Sequence, residues 1–214
     1  MKQKTIRLLK ENWGFLLFLL LMFASRSSLA DWYHVPSGSM LPTIEVGDRI
    51  LVNKMAYRLE IPFTDIPLIQ TGAPVRGDIV VFNSKAANER LIKRIVGIPG
   101  DQISMINNQL IVNGEIIQYE IEQEHYIYNE NLLGKHHSVQ FVPANQVKDS
   151  FANIVIPQGF YFVLGDNRNN SRDSRFLGLV SEDELQGKAT KVIASFDPDN
   201  YYLPKKDRNF VTLN

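Results

Sequence analysis

The chain has 214 residues, 44% of them hydrophobic, which is enough to bury one main domain with a smaller inserted part and too apolar for a disordered segment. Lys plus Arg and Asp plus Glu both number 23, so no overall basic field exists to gather nucleic acid. There is no cysteine, which excludes disulfides, thiolate nucleophiles and cysteine-held metal sites, and leaves four histidines for metal or acid-base work.

Lys2, Lys4, Arg7 and Lys10 precede an apolar run from Trp13 to Ala24. That asymmetry predicts an N-terminus held inside and a chain that crosses outward as one N-terminal transmembrane helix. The run is about 12 residues, shorter than the roughly 20 of a full span, and Leu8, Leu9 and Leu29 with snorkelling Lys10 and Arg26 lengthen it. Ser28-Leu29-Ala30 has the small residues of a secretory cleavage site, so a removed signal peptide is the competing reading. A retained anchor in contact with membrane lipid is favoured, because Arg26 is awkward in a cleavage region and Trp32 and Tyr33 suit a membrane interface.

Val35-Pro36-Ser37-Gly38-Ser39-Met40-Leu41-Pro42-Thr43 comes next. Pro36 and Pro42 stiffen both flanks and Gly38 lets another chain approach, so Ser39 is expected on rigid, extended backbone, as a nucleophile requires. Taken alone, Ser-Gly-Ser between prolines also reads as an ordinary turn. Farther on, Gly-Asp pairs at 47–48, 77–78, 100–101 and 165–166 lie beside β-rich runs and read as turns between strands. None leads into a helix with phosphate-loop spacing, which argues against a nucleotide site.

Arg90-Leu91-Ile92-Lys93-Arg94-Ile95-Val96-Gly97 is a strand by composition with two adjacent cations in its middle. If Arg94 faces out, Lys93 shares an inward face with Leu91 and Ile95. Burial disfavours the charged amine and lowers its pKa, and a neutral lysine is a general base. The plain alternative is an edge strand with two solvated cations.

From Ile103 to Tyr119, apolar runs separated by Asn107-Asn108 and Asn113-Gly114 predict a β-meander with tight hairpins. The polar stretch from Glu120 to Ser150, with His125, His136 and His137, reads as the variable part of an insertion, and the adjacent histidines as loop decoration rather than metal ligands. Gly165-Asp166-Asn167-Arg168-Asn169-Asn170-Ser171-Arg172-Asp173-Ser174-Arg175 follows an apolar strand. As a calcium loop it fails, since Arg168 occupies the third position and no glycine the sixth. A self-bonded Asx turn accounts for the asparagines, while Ser171, Asp173 and Arg175 alternate so as to face one way. Ser181 with Glu184 forms a capping box that opens one short helix ended by Gly187.

The motifs from Pro36 to Thr43, from Arg76 to Phe82, from Leu91 to Asp101 and from Gly165 to Arg175, in that order, resemble those of bacterial type I signal peptidases, or leader peptidases, over residues from about 25 to 196. The resemblance implies a mainly β fold: an antiparallel β-sheet catalytic core over 31–101 and 157–214, an inserted β-rich cap over 102–156, and a tail and membrane anchor over 1–30. It implies Ser39 as nucleophile, Lys93 as general base, and Ser37 Oγ with the Ser39 backbone N–H as oxyanion hole. Ser171 then orients the lysine, Asp173 and Arg175 form a supporting ion pair, and Val35, Met40, Ile44 and Ile92 line shallow apolar pockets for small residues. Asn169 stands where the family often has Asp, the insertion is short, and one hydrophobic segment is present where some members have two.

The implied activity is removal of signal peptides from exported preproteins after small residues of Ala-x-Ala type, without metal or other cofactor. The implied enzyme is a monomer in the bacterial inner membrane, single-pass, with its N-terminus cytoplasmic and its catalytic part periplasmic. Three rivals are weighed beside it. An autocleaving repressor needs a DNA-binding domain where this chain has a hydrophobic segment. A conjugative-transfer processing peptidase shares the chemistry but has one dedicated substrate. A non-catalytic membrane-anchored β binding domain requires Ser39 and Lys93 to lie far apart.

Overall fold

The computed structural model of the chain describes residues 10, 12–64, 66–123, 126–143 and 148–213. It opens on a helix over Trp13–Ser28, where leucine and phenylalanine predominate. At 1.5 Å per residue this helix reaches about 24 Å against the roughly 30 Å of a hydrocarbon core. Among the described residues no helix is long and apolar enough to cross a membrane. A transmembrane helix of full span length is therefore not found among the described residues, where the apolar helix covers Trp13–Ser28; Lys2, Lys4, Arg7, Leu8 and Leu9 lie outside the described residues, as does His125.

Among the described residues eighteen strands follow. They are β1 (Ala30–His34), β2 (Asp48–Asn53), β3 (Arg58–Glu60), β4 (Pro67–Gln70), β5 (Ile79–Ser84) and β6 (Glu89–Gly97). Next come β7 (Gln102–Ile106), β8 (Gln109–Val112), β9 (Glu115–Ile116), β10 (Gln118–Gln123), β11 (Ile127–Leu132), β12 (Lys135–Gln140) and β13 (Phe151–Val155). The chain closes with β14 (Phe160–Leu164), β15 (Val180–Ser181), β16 (Leu185–Asp197), β17 (Leu203–Pro204) and β18 (Val211–Thr212). The fold is mainly β, and its main sheet runs β1-β2-β16-β5-β6-β14-β15 with antiparallel ladders throughout. Strands β7 to β13 build two further sheets, β13-β7-β8-β9 and β10-β11-β12.

The meander forms as its turn residues dictate. Asn107 and Asn108 (φ 50° and 63°), then Asn113 and Gly114 (φ 54° and 83°), all take the left-handed conformation that two-residue hairpin turns need. Within the polar stretch, β10, β11 and β12 form a three-stranded sheet, and the His136-His137 pair lies on β12 rather than in a loop. The buried positions of β11 and β12 are Glu130 and Leu132, and His137 and Val139. A charged and a titratable residue at inward positions erase the apolar alternation by which such strands are recognised.

The capping box also forms, with Glu184 accepting from Ser181 N at 2.8 Å, but the helix is a single 3-10 turn over Glu182–Glu184. Gly187 does not end it. That glycine lies inside β16, where a Cβ would stand 2.6 Å from the Asn53 carbonyl, because the chain re-enters the main sheet against β2 at once.

Strand β5 is covered on both faces. Ile79 and Val81 pack with Val35, Met40, Ile44, Ile50 and Val52, and Val80 and Phe82 with Tyr57, Ile95 and Val163. Its neighbour β6 shares this burial, which places Lys93 in a desolvated setting.

Candidate active site

Ser39 does not sit on extended backbone. Leu41 N donates to the Gly38 carbonyl at 3.2 Å and Ile44 N to that of Met40 at 2.9 Å, so residues from Gly38 to Ile44 turn. Burial drives the turn: Met40 and Ile44 lie one turn apart and both join the core cluster that holds Val35. The four candidate pocket residues are thus brought together in one apolar cluster, Val35, Met40 and Ile44 almost without exposed surface and Ile92 partly buried against it. Ser37 is exposed and Ser39 half-buried.

Asn167 pins the turn from the other side, donating its N–H to the Ser39 carbonyl at 3.1 Å and Nδ2 to the Gly38 carbonyl at 3.0 Å.

Lys93 is 2% exposed. Its Nζ lies 2.7 Å from Ser39 Oγ and donates to the Ile92 carbonyl at 2.9 Å. Burial lowers the amine to about 8, while Asp173, Asp166 and Glu89 act to raise it. Arg94, expected to face solvent if Lys93 faces in, is buried too, at 1%. It faces the opposite side of β6, where its Nε and Nη2 reach the two carboxylate oxygens of Asp166 at 2.9 and 2.8 Å. Both faces of this strand are covered, so two adjacent cations are both desolvated, and each has its own solution: Arg94 is paired, while Lys93 holds its proton less firmly than an ordinary lysine.

Each Gly-Asp turn proves to be more than a turn. Gly47, Gly77 and Gly100 have φ near 91°, and their aspartates bind cations from distant elements: Asp48 pairs with Arg208, Asp78 with Lys188 and Asp101 with Arg76. The fourth glycine is needed for closeness instead. A Cβ on Gly165 would lie 2.2 Å from Ser171 Oγ and 2.4 Å from the Ser39 carbonyl, so the turn that carries Ser39 and the loop after β14 pack closely here, beside the hydrogen bonds of Asn167. Asp166 beside it takes the Arg94 pair and a 2.6 Å hydrogen bond from Thr43 Oγ1.

Asp173 caps the helical turn Ser174–Leu177 by accepting from Arg175 N. Its carboxylate binds Arg175 Nε and Nη2 at 2.8 Å each and accepts from Gly165 N at 3.1 Å. The pair anticipated between Asp173 and Arg175 is therefore formed, and it holds the glycine that touches Ser39. Ser171 is buried with its Oγ unbonded, and the second contact of the Lys93 amine goes to the Ile92 carbonyl.

The arrangement can do acyl-transfer chemistry. A neutral amine that donates to Ile92 O keeps a lone pair for the Ser39 hydroxyl proton. Sequence reasoning gave no role to Gly165, Asp166, Asn167 or Arg94. Their signal was present as density of backbone-bonding side chains after β14, but which carbonyls Asn167 would bind depends on a contact between segments more than a hundred residues apart.

The chain is similar to known proteins over most of its length. A family model described as signal peptidase, peptidase S26, matches residues 9–194. Signal peptidase I of Pseudomonas aeruginosa is 37% identical over 210 residues, covering 89% of this chain and 74% of that protein. The Aquifex aeolicus signal peptidase I is 37% identical over 216 residues, covering 82% and 79%. Signal peptidase IB of Staphylococcus aureus is 34% identical over 183 residues, covering 83% and 85%.

Proposed function

The chain belongs to the signal peptidase family, peptidase S26, and we propose that Ser39 and Lys93 are the nucleophile and general base with which it removes signal peptides from exported preproteins. The observation that carries the assignment is the 2.7 Å contact between a desolvated lysine and a serine hydroxyl. Lys93 takes the proton as Ser39 Oγ adds to the scissile carbonyl. The tetrahedral oxyanion accepts from the Ser39 N–H and from Ser37 Oγ, each donor worth about 10² to 10³ in rate. The ammonium then protonates the leaving amine, giving an ester at Ser39 and the free mature N-terminus. Lys93, neutral again, takes a proton from water, whose oxygen hydrolyses the ester.

The substrate lies extended as an added strand. Support comes from β6, which β5 pairs along one edge over Glu89–Arg94 and β14 along the other only over Arg94–Gly97, so that on the β14 side the edge from Glu89 to Lys93 has no strand partner among the described residues. Val35, Met40, Ile44 and Ile92 offer an apolar floor with little exposed surface, which suits side chains as small as Ala at positions one and three before the cut. Residues 102–156 act as an inserted cap.

The N-terminal helix anchors the enzyme, its N-terminus cytoplasmic and the catalytic part on the outer side. Trp13, Phe18 and Leu21 are exposed by 60% or more, an apolar surface that lipid would cover.

Incubation of a purified preprotein with wild type and Ser39→Ala tests the proposal. Wild type should release mature protein cut after an Ala-x-Ala segment and the variant none; cleavage by the variant would remove Ser39 from the chemistry. A panel of unrelated preproteins separates the general enzyme from a peptidase with one dedicated substrate.

A further inference from the structure

Arg168 is a guanidinium 1% exposed, and the carboxylate it meets comes from a different sheet. Strand β11 carries Glu130, 0% exposed, into ion-pair contact with Arg168 Nη1. The same Nη1 donates to the Tyr119 hydroxyl of β10 at 3.1 Å, and His137 Nε2 of β12 stands 3.3 Å from the other Glu130 oxygen. Burial works against the Glu130 charge, but Arg168 and His137 outweigh it and hold the carboxyl well below the usual carboxylate range. Two neighbouring strands of the inserted segment, β10 and β11, thus meet one residue of the loop after β14, and β12 supports them through the contact of His137 with Glu130.

From Arg168 two short routes reach the catalytic pair. Its sequence neighbour Asn167 holds the carbonyls of Ser39 and Gly38. Its own carbonyl accepts from Arg175 Nη2, and Arg175 chelates Asp173, which bonds Gly165 N and is the strongest of the charges that raise the Lys93 amine. Neither route passes through the core clusters. An ion pair this deeply buried does little for net stability against an apolar substitute, but it allows one arrangement of its partners and few others.

We infer that Glu130 is a positioning residue for Ser39 and Lys93, acting through Arg168, so that the inserted segment sets the geometry of the catalytic loop as well as covering it. This rests on the assignment of Ser39 and Lys93 as nucleophile and base. Displacements of about 1 Å at a reacting pair can cost about a hundredfold in rate, which gives a remote anchor this leverage.

The test compares wild type, Glu130→Gln and Tyr119→Phe, each full-length and with melting followed by circular dichroism. Glu130→Gln should lower kcat per folded molecule about tenfold or more while KM stays within about twofold. Tyr119→Phe removes only one hydroxyl and should lower kcat about two- to fivefold with folding intact, so it decides the matter if Glu130→Gln does not fold. A second readout needs no substrate: titration of the Lys93 ε-carbon by NMR should move by about half a pH unit or more in Glu130→Gln. Folded variants with wild-type kcat and an unmoved Lys93 titration would overturn the inference. If wild type itself cleaves no preprotein, the functional assignment fails, and the titration still decides whether Glu130 governs Lys93.

Discussion

Lys93 Nζ meets Ser39 Oγ at 2.7 Å at the end of a side chain only 2% exposed, so the amine in contact with the hydroxyl is one that burial prevents from holding its proton firmly. Burial brings it to about 8 against the opposing pull of Asp173, Asp166 and Glu89. Because the base form is required, kcat/KM should rise with pH, reach half its maximum at about 8 and level off above about 9. A pH profile on an uncharged peptide checks this. A midpoint at about 6.5 would point to histidine instead.

Removing either partner should abolish cleavage while the two act as one unit. Ser39→Ala and Lys93→Met should each lose about 10⁴ or more in kcat, and the double variant little beyond that. Stability should move the other way. The folded value of Lys93 lies below the 10.5 of an ordinary lysine, so below about 8 the fold carries the full penalty of a buried ammonium, of about 3 kcal/mol at about 1.4 kcal/mol per pH unit. Between about 8 and 10.5 the unfolded chain binds the extra proton, and the wild-type fold gains stability as pH rises. Lys93→Met should therefore melt at or above the wild-type temperature at pH 7, with the gap closing toward pH 10. A Lys93→Met protein markedly less stable at pH 7 would contradict a desolvated amine.

Ser37→Ala should lower kcat about 10²-fold with KM and melting temperature nearly unchanged, since an oxyanion donor acts in the transition state and this serine is exposed. An effect confined to KM would remove Ser37 from that role.

Gly165→Ala should be costly although its φ is not left-handed. The added methyl group meets the Ser39 carbonyl at 2.4 Å and Ser171 Oγ at 2.2 Å, and the first of these is backbone that Asn167 holds in place. A loss of about 1 to 3 kcal/mol in stability is expected, together with a fall in kcat larger than the lost folded fraction explains. Denaturant melts and active-site kinetics on one preparation separate the two effects.

Ala30 is the first residue of β1 and pairs with Asn53, and Asp31 is held by Arg26 at 2.8 Å, so the bond after Ser28-Leu29-Ala30 lies inside a ladder rather than on a free strand. N-terminal sequencing of membrane-extracted protein should find the segment retained. Asp31 as the predominant terminus would show a removed signal peptide, and the proposed anchor would fall with it.

Much of this molecule could be read from local chemistry. The antiparallel strands and the two asparagine-rich hairpins follow from residue preferences that act over a few positions, and Ser39 and Lys93 stand out because a serine between prolines and a lysine in an apolar strand are locally unusual. Tertiary structure alone decided the rest. Ser39 is turned rather than extended because Met40 and Ile44 bury together. Arg94 is buried because both faces of β6 are covered, and Glu130 and His137 interrupt the alternation of their strands because an arginine from another segment waits opposite them. A buried charge is tolerated only where its partner arrives, and the partners of Arg94, Arg168 and Asp48 lie 72, 38 and 160 residues away. Short-range sequence pattern reports what a residue prefers, whereas the desolvation that loosens the hold of Lys93 on its proton depends on which distant segments close around it.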